Sequence, residues 1–99
     1  MENKRKIYEQ KAQAKLDQIQ AQMDEYKAKF KEASADAKLE MQDQLEEISK
    51  RRNKAEKRLQ ELQNSGEQAW EDLTSGVEEA IDDLQTSFNE AMEKIGEKA

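Results

Sequence analysis

The fold is decided at Asn64-Ser65-Gly66-Glu67-Gln68, where the sequence predicts that one helix ends and another begins. Gly66 tolerates the left-handed backbone conformation that commonly terminates a helix. Ser65 and Gln68 have the spacing of a capping box, in which each side chain bonds the other residue's backbone N–H. We therefore expect residues 1–64 to form one long helix and residues 65–99 to form a second helix that folds back on it.

The composition also favours helices. The 99-residue chain contains no proline, and its three glycines lie at positions 66, 76 and 96, so no residue in the first 65 is a strong helix breaker. Charged residues make up 40% of the chain and hydrophobic residues 34%. Apolar surface must therefore be concentrated in narrow seams. The predicted fold class is all-α, a coiled-coil hairpin in which a long helix is followed by a shorter antiparallel one.

The long helix carries a heptad seam. Its positions are separated by alternating steps of three and four residues, with one stutter after Ala37: Tyr8, Ala12, Leu16, Ile19, Met23, Tyr26, Phe30, Ala33, Ala37, Met41, Leu45, Ile48, Arg52, Ala55, Leu59 and Leu62. Unbroken from Lys4 to Gln63, this helix would be about 90 Å long. Residues 33–37 are the one candidate for a bend, because Ser34 and Asp36 compete for backbone hydrogen bonds. The absence of glycine and proline there favours continuity.

The second helix repeats every 11 residues, as AWEDLTSGVEE (69–79), AIDDLQTSFNE (80–90) and AMEKIGEKA (91–99). An 11-residue period keeps apolar residues on one broad stripe. The predicted stripe consists of Ala69, Trp70, Leu73, Val77, Ala80, Ile81, Leu84, Phe88, Ala91, Met92 and Ile95. Gly76 and Ser87 occupy equivalent positions at its edge, and we interpret both as sites of close helix approach.

Charge supports antiparallel pairing of the two helices. Residues 66–99 contain ten acidic residues and two lysines, whereas the facing segment 50–58 is basic. The predicted charge pairs join Arg51, Arg52, Lys54 and Arg58 to Glu78, Glu79, Asp82 and Asp83. Exposed pairs contribute only ~0–1 kcal/mol each, so they select orientation more than they stabilise. Arg52 occupies a seam position opposite Ala80 and near Glu79, which predicts a polar layer that sets the register.

The second helix is too short to cover residues 8–33 of the seam. If this stretch stayed exposed to water, the chain would lose ~1.5–3 kcal/mol of hydrophobic stabilisation for each large side chain. Either the chain bends at 33–37 and closes a monomeric three-helix bundle, or two straight helices pair antiparallel in a homodimer. Continuity favours the homodimer. The predicted core or interface residues are Leu16, Ile19, Met23, Tyr26, Phe30, Leu45, Ile48, Leu59, Leu62, Trp70, Leu73, Val77, Ile81, Leu84 and Phe88.

The residue types available argue against catalysis. Without histidine or cysteine, imidazole bases, thiolate nucleophiles and ordinary zinc or haem sites are excluded. Adjacent carboxylates such as Glu46-Glu47, Glu78-Glu79 and Asp82-Asp83 point about 100° apart on a helix and are interpreted as solvated. We expect no enzymatic activity, no catalytic or metal-binding residues and no cofactor.

The expected function is that of a structural or interaction protein that self-associates and presents an acidic surface to an unidentified protein partner. Nucleic acid is not an expected partner, because the basic segment 50–58 contains no aromatic residue and the net charge is -6. No apolar run has the length of a signal peptide or a membrane span, so the expected compartment is the cytoplasm. One alternative is binding of residues 69–99 to a lipid surface, which the acidic polar face disfavours. A further alternative is an acidic holdase for basic clients.

The sequence resembles a group of small bacterial coiled-coil proteins, many from cyanobacteria and proteobacteria, with apolipoprotein-like 11-residue repeats. The resemblance covers nearly the whole chain. It is carried by YEQK (8–11), AKLD (14–17), ASADAK (33–38), KRLQEL (57–62), SGEQAWEDL (65–73) and GV (76–77). It implies an all-helical protein without an assigned activity. Ile81 stands where the repeat carries a second aromatic residue, which weakens the lipid-surface interpretation.

Overall fold

The backbone traces three helices that run side by side along one axis. The structure, a computed structural model, describes the backbone of residues 2–98 and the side chains of residues 3–94. Within that range the helices are α1 (Glu2–Glu32), α2 (Ala35–Gln63) and α3 (Glu67–Lys98). The molecule measures 51 × 18 × 17 Å. These dimensions match a bundle of three helices, each ~45 Å long, in which consecutive helices are antiparallel. The all-α prediction is confirmed. The predicted stripe position Ile95 and the terminal residues Met1 and Ala99 lie outside the described side chains.

The expectation of a continuous helix from Lys4 to Gln63 is wrong, and the bend within 33–37 is the observed arrangement. Only Ala33 and Ser34 separate α1 from α2. Ser34 has an extended backbone, with φ -65° and ψ 163°, and its Oγ accepts a hydrogen bond from the Ala37 N–H at 3.4 Å. This N-cap replaces one hydrogen bond that the start of a helix lacks. Folding back at this point also buries the seam of α1 within the same chain.

The predicted reversal at residues 64–68 is confirmed, but its chemistry differs from the prediction. The Ser65 hydroxyl donates to the Leu62 carbonyl at 2.7 Å, so the capping box with Gln68 is not formed. The Asn64 N–H donates to the Gln60 carbonyl at 3.1 Å. No glycine in the described backbone has a positive φ, and Gly66 is therefore not left-handed. The turn is closed by hydrogen bonds to the last carbonyls of α2.

The apolar stripes of all three helices converge on one core. The largest side chains with almost no exposed surface are Tyr26, Ile19 and Met23 of α1, Ile48, Leu59 and Leu62 of α2, and Leu84 and Val77 of α3. Of the other predicted core residues, Leu16, Ile81 and Phe88 are buried, whereas Phe30, Leu45, Trp70 and Leu73 are half-buried. Ala12, Met41, Ala55, Ala80 and Ala91 complete the buried set. Each helix thus contributes one face, and no helix buries its surface alone.

The explanation of Gly76 as a site of close helix approach is wrong. A Cβ atom placed on Gly76 would meet no other atom within 4 Å. The residue lines an open groove of about 490 Å³ between α2 and α3. Nothing in the packing therefore requires glycine at this position.

Candidate functional site

The candidate functional site is the surface through which α1 packs on the other two helices. Since α1 is joined to them by only two residues, this surface is what holds α1 in the bundle. We call this surface the α1 interface. It consists of the seven seam residues Tyr8, Ala12, Leu16, Ile19, Met23, Tyr26 and Phe30. Polar side chains at both ends and in the middle add hydrogen bonds to this apolar seam. The site is therefore a helix-binding surface rather than a pocket.

Arg5 fixes the first turns of α1 to the connection between α2 and α3. Its Nη2 donates to three backbone carbonyls, those of Leu62 at 3.1 Å, Gln63 at 3.2 Å and Ser65 at 2.7 Å. A cation suits this position, because the C-terminal carbonyls of a helix carry partial negative charge. Sequence reasoning missed this residue. Its partners are backbone atoms 57 to 60 residues away in the sequence. The spacing of apolar residues does not predict such a contact.

Trp70 stands beside Arg5 at the start of α3. The guanidinium carbon of Arg5 lies 5.9 Å from the centroid of the indole, within the range of a cation–π interaction. The Tyr8 ring meets the indole edge-on, with centroids 5.4 Å apart and an interplanar angle of 76°. The predicted role of Trp70 in packing therefore includes two contacts with α1. We call Arg5, Tyr8 and Trp70 the Arg5–Trp70 cluster.

The Tyr8 hydroxyl extends this cluster along α3. It donates to the backbone carbonyl of Thr74 at 3.2 Å. Burial, the negative charge of Glu78 with its hydrogen bond to the tyrosine, and the negative charge of Asp82 together raise the pKa of Tyr8 to about 12. Tyr8 is thus a neutral hydrogen-bond donor at physiological pH. Glu78, which was predicted to pair with a cation of α2, faces Tyr8 of α1 instead.

In the middle of the bundle, Arg52 sets the register of α2 against α1. Its Nη1 donates to Gln20 Oε1 of α1 at 2.6 Å, and its Nη2 donates to Asn53 Oδ1 at 3.2 Å. Glu56 lies 3.7 Å away on the same helix. The prediction that Arg52 faces Glu79 of α3 is wrong, because the arginine side chain turns from the seam toward the α1 side of the bundle. A polar layer is present, but it joins a different pair of helices.

At the far end, Tyr26 contacts both other helices. Its hydroxyl donates to Gln44 Oε1 of α2, and its ring lies 6.3 Å from that of Phe88 of α3. The residue has no exposed surface, and burial raises the pKa of its hydroxyl to about 12. Close by, the ammonium of Lys38 lies 5.9 Å from the centroid of the Phe30 ring. The α1 interface is thus anchored on both sides of its apolar centre.

One of the predicted charge pairs between α2 and α3 forms in the described part of the chain. Arg51 Nη1 lies 2.6 Å from Asp83 Oδ2, and Arg51 Nε lies 3.1 Å from Glu47 Oε1. Arg58 pairs instead with Glu61 of its own helix at 3.9 Å. The remaining predicted members Lys54, Glu79 and Asp82 line the open groove beside Gly76, and none of them forms an ion pair with another residue whose side chain is described. Since Asp83 is 52% exposed, the Arg51–Asp83 pair stabilises the bundle by ~1 kcal/mol at most.

A second open cleft, of about 700 Å³, lies beside the Arg5–Trp70 cluster. Its lining mixes cations and anions: Lys4, Arg5, Lys6, Glu9, Glu67 and Glu71, with Gln63, Gly66 and Trp70. This mixture does not define one class of ligand. Among residues whose side chains are described, no three acidic groups are placed to bind a metal ion. None of the helices in that same range combines the length and the apolar character of a bilayer span.

Comparison of the chain with protein-family models, with curated proteins and with solved structures gives no match. The resemblance to small bacterial coiled-coil proteins with 11-residue repeats therefore stays a prediction.

Proposed function

We propose that the protein is a non-enzymatic helical interaction protein that self-associates through its apolar seams. The observation that carries this proposal is the spacing of the seam across the break between α1 and α2. Phe30, Ala33 and Ala37 continue the heptad steps of three and four, although the helix is interrupted at Ala33 and Ser34. If the chain always reversed at this point, the two helices could bury their seams without keeping the heptad spacing across the break. That spacing is needed only if α1 and α2 also pair with a partner as one uninterrupted helix.

The polar chemistry of the α1 interface supports a role in binding rather than catalysis. Tyr8 and Tyr26 both have pKa values raised to about 12, far from the range in which a group exchanges protons at neutral pH. Both hydroxyls bond to another helix. These two hydroxyls thus serve the association of helices.

Light scattering on a sizing column tests the proposal. Over a concentration range from micromolar to millimolar, the mass is expected to rise from the one-chain value of 11.5 kDa toward twice that value. A constant one-chain mass at millimolar concentration would refute self-association.

A matched control distinguishes pairing through the seam from non-specific hydrophobic association. Among the residues whose side chains are described, Ile7 and Leu39 are the large hydrophobic ones that are exposed, at 52% and 69%, and both lie off the seam. The double variant Ile7→Ser, Leu39→Ser is expected to associate as the natural chain does. Loss of association in this variant would show that the two exposed residues drive it.

A second candidate function, binding to a lipid surface, is favoured by the sidedness of α3. Its apolar residues include the buried stripe of Val77, Ile81, Leu84 and Phe88, whereas its acidic residues between positions 67 and 93 are exposed. If α3 opened from the bundle, that stripe would fit a neutral membrane surface better than an anionic one. Flotation with neutral and anionic vesicles tests this candidate, and absence of binding to both removes it.

A further inference from the structure

We infer that two copies of this chain associate by exchanging α1. In this dimer the Ala33–Ser34 connection straightens, and α1 and α2 of each chain become one helix. The α1 of each copy then packs on the α2–α3 hairpin of the other. This inference rests on the proposed function and specifies its partner and its interface.

The geometry of the connection makes straightening a small local change. Ser34 has φ -65°, which is already a helical value, so at this residue straightening requires only that ψ rotate from 163° to about -40°. Only Ala33 and Ser34 lie outside the two helices. The hydrogen bond that would be lost, from the Ala37 N–H to Ser34 Oγ, is long at 3.4 Å and therefore weak. In return, the backbone N–H groups at the start of α2 gain carbonyl acceptors in α1.

The contacts of α1 do not require that it belong to the same chain. Its polar partners are remote in sequence: Arg5 bonds to Ser65, Tyr8 to Thr74, Gln20 to Arg52 and Tyr26 to Gln44. The closest of these pairs in sequence is 18 residues apart. A second copy of α1 therefore forms the same hydrogen bonds and buries the same seam on the hairpin.

Straightening also uses surface that the bundle leaves incompletely covered. Ala33 and Ala37 are half-buried in the single chain. In the dimer they lie at the centre of two antiparallel long helices, where small side chains allow a close approach of the backbones. The heptad steps continue through Ala37 and then pass through the stutter to Met41 and Leu45, so each long helix presents one continuous apolar face whose supercoil is locally relaxed.

Since the bundle and the dimer share their main contacts, the connection and the protein concentration decide between them. Two substitutions in the connection should shift the equilibrium in opposite directions. Ala35→Pro favours the bundle. Residue 35 is the first of α2, where proline fits, and Ser34 already has the extended ψ that precedes proline. In the straight helix the same proline would remove a backbone hydrogen bond and clash with the preceding turn.

Ser34→Ala favours the dimer, because it removes the N-cap of the bent form and introduces the best helix former. The dimer dissociation constant is measured by sedimentation equilibrium for the natural chain and both variants. Each dimer straightens two connections, so Ala35→Pro should raise the dissociation constant by more than about 100-fold, and Ser34→Ala should lower it by about 30-fold. Circular dichroism establishes that each variant keeps the helicity of the natural chain.

The outcomes separate exchange of α1 from self-association in general. If Ala35→Pro is fully helical and dimerises with an unchanged dissociation constant, exchange of α1 is overturned, whereas the proposed function survives through another surface. If the natural chain and Ser34→Ala both remain monomeric at millimolar concentration, both proposals fail. If Ala35→Pro does not fold, Ser34→Ala decides alone: tighter association supports exchange of α1, and unchanged or weaker association overturns it.

Discussion

The guanidinium carbon of Arg5 lies 5.9 Å from the centroid of the Trp70 ring, and this contact joins the beginning of α1 to the beginning of α3. At the opposite end of α1, the chain passes into α2 through two residues. The first helix is therefore held by the Arg5–Trp70 cluster at one end and by a short covalent connection at the other. Its apolar seam and a few hydrogen bonds hold it between these points.

Arg5→Ala should destabilise the bundle by ~1–3 kcal/mol, because a charged donor to three backbone carbonyls is lost. Urea unfolding measures the change. Trp70 is the single tryptophan of the chain and lies against Arg5, so its fluorescence reports the transition directly. Arg5→Lys should recover only part of the loss, because lysine lacks the planar arrangement of donors.

Lys6→Ala is the matched control for this experiment. Lys6 is exposed on the same turn, and its loss should change the free energy of unfolding by no more than ~0.5 kcal/mol. Equal effects of Arg5→Ala and Lys6→Ala would contradict the role assigned to Arg5.

Stability should fall as the pH rises from 10 to 12. Tyr8 and Tyr26 have pKa values of about 12 in the folded protein, against the ordinary tyrosine value of 10.0. The folded state therefore binds their protons more tightly than the unfolded state does. Their contribution is fully present below pH 10 and is lost between the two values.

The double variant Tyr8→Phe, Tyr26→Phe removes both hydroxyls, so its decline over this pH range should be shallower than that of the natural chain. Chemical unfolding at a series of alkaline pH values measures both. Parallel declines of the two proteins would show that other groups cause the alkaline loss of stability.

How much of this structure follows from the sequence depends on the range of the interaction. The reversal at residues 64–68 and the buried faces follow from turn residues and periodicity, which are local signals. The break at Ala33–Ser34 does not follow from these signals, because the spacing of the seam residues suits a straight helix as well as the bent chain. A serine cap worth ~1 kcal/mol and an intramolecular partner for α1 then select the bent chain. Ser34 with Asp36 in the first turn of α2 was the local signal of that cap.

The partners of individual polar residues were harder to predict than the core. Arg52 occupies a seam position, but a long side chain reaches either neighbouring helix, and only the packed bundle places Gln20 within 2.6 Å. The role of Gly76 was misread for a related reason. A small residue at the edge of a stripe is compatible with both close approach and open space, and the sequence does not distinguish them.

Gly76→Ala should stabilise the protein by ~0.8–1 kcal/mol, because alanine has the higher helix propensity and its Cβ meets open space. Gly66→Ala should gain less than Gly76→Ala, because Gly66 is the N-cap of α3, whose carbonyl accepts from the Trp70 N–H at 2.9 Å, and alanine is disfavoured at an N-cap. Thermal unfolding measures both. Ser87→Ala, at the equivalent position of the next repeat, is the control and should gain less than Gly76→Ala. A loss of stability in Gly76→Ala would restore the close-approach interpretation.

Asp83→Asn should cost no more than ~1 kcal/mol, because the pair with Arg51 is solvent-exposed. The cost should shrink in high salt as the charges are screened. Asp82→Asn removes a neighbouring acidic residue that lines the groove beside Gly76 and has no ion pair among the described side chains, so its effect should be close to neutral. A larger, salt-independent loss for Asp83→Asn would mean that this side chain has a structural role beyond the ion pair.

Small-angle X-ray scattering tests the exchange of α1 most directly, because the two forms differ in length. The single bundle has a Cα radius of gyration of 15.8 Å and a longest dimension of 51 Å. In fractions with the mass of two chains, the longest dimension of the particle should be about 90 Å, which is the length of an uninterrupted helix from residue 2 to residue 63. A two-chain particle whose longest dimension stays close to that of the single bundle would contradict the account.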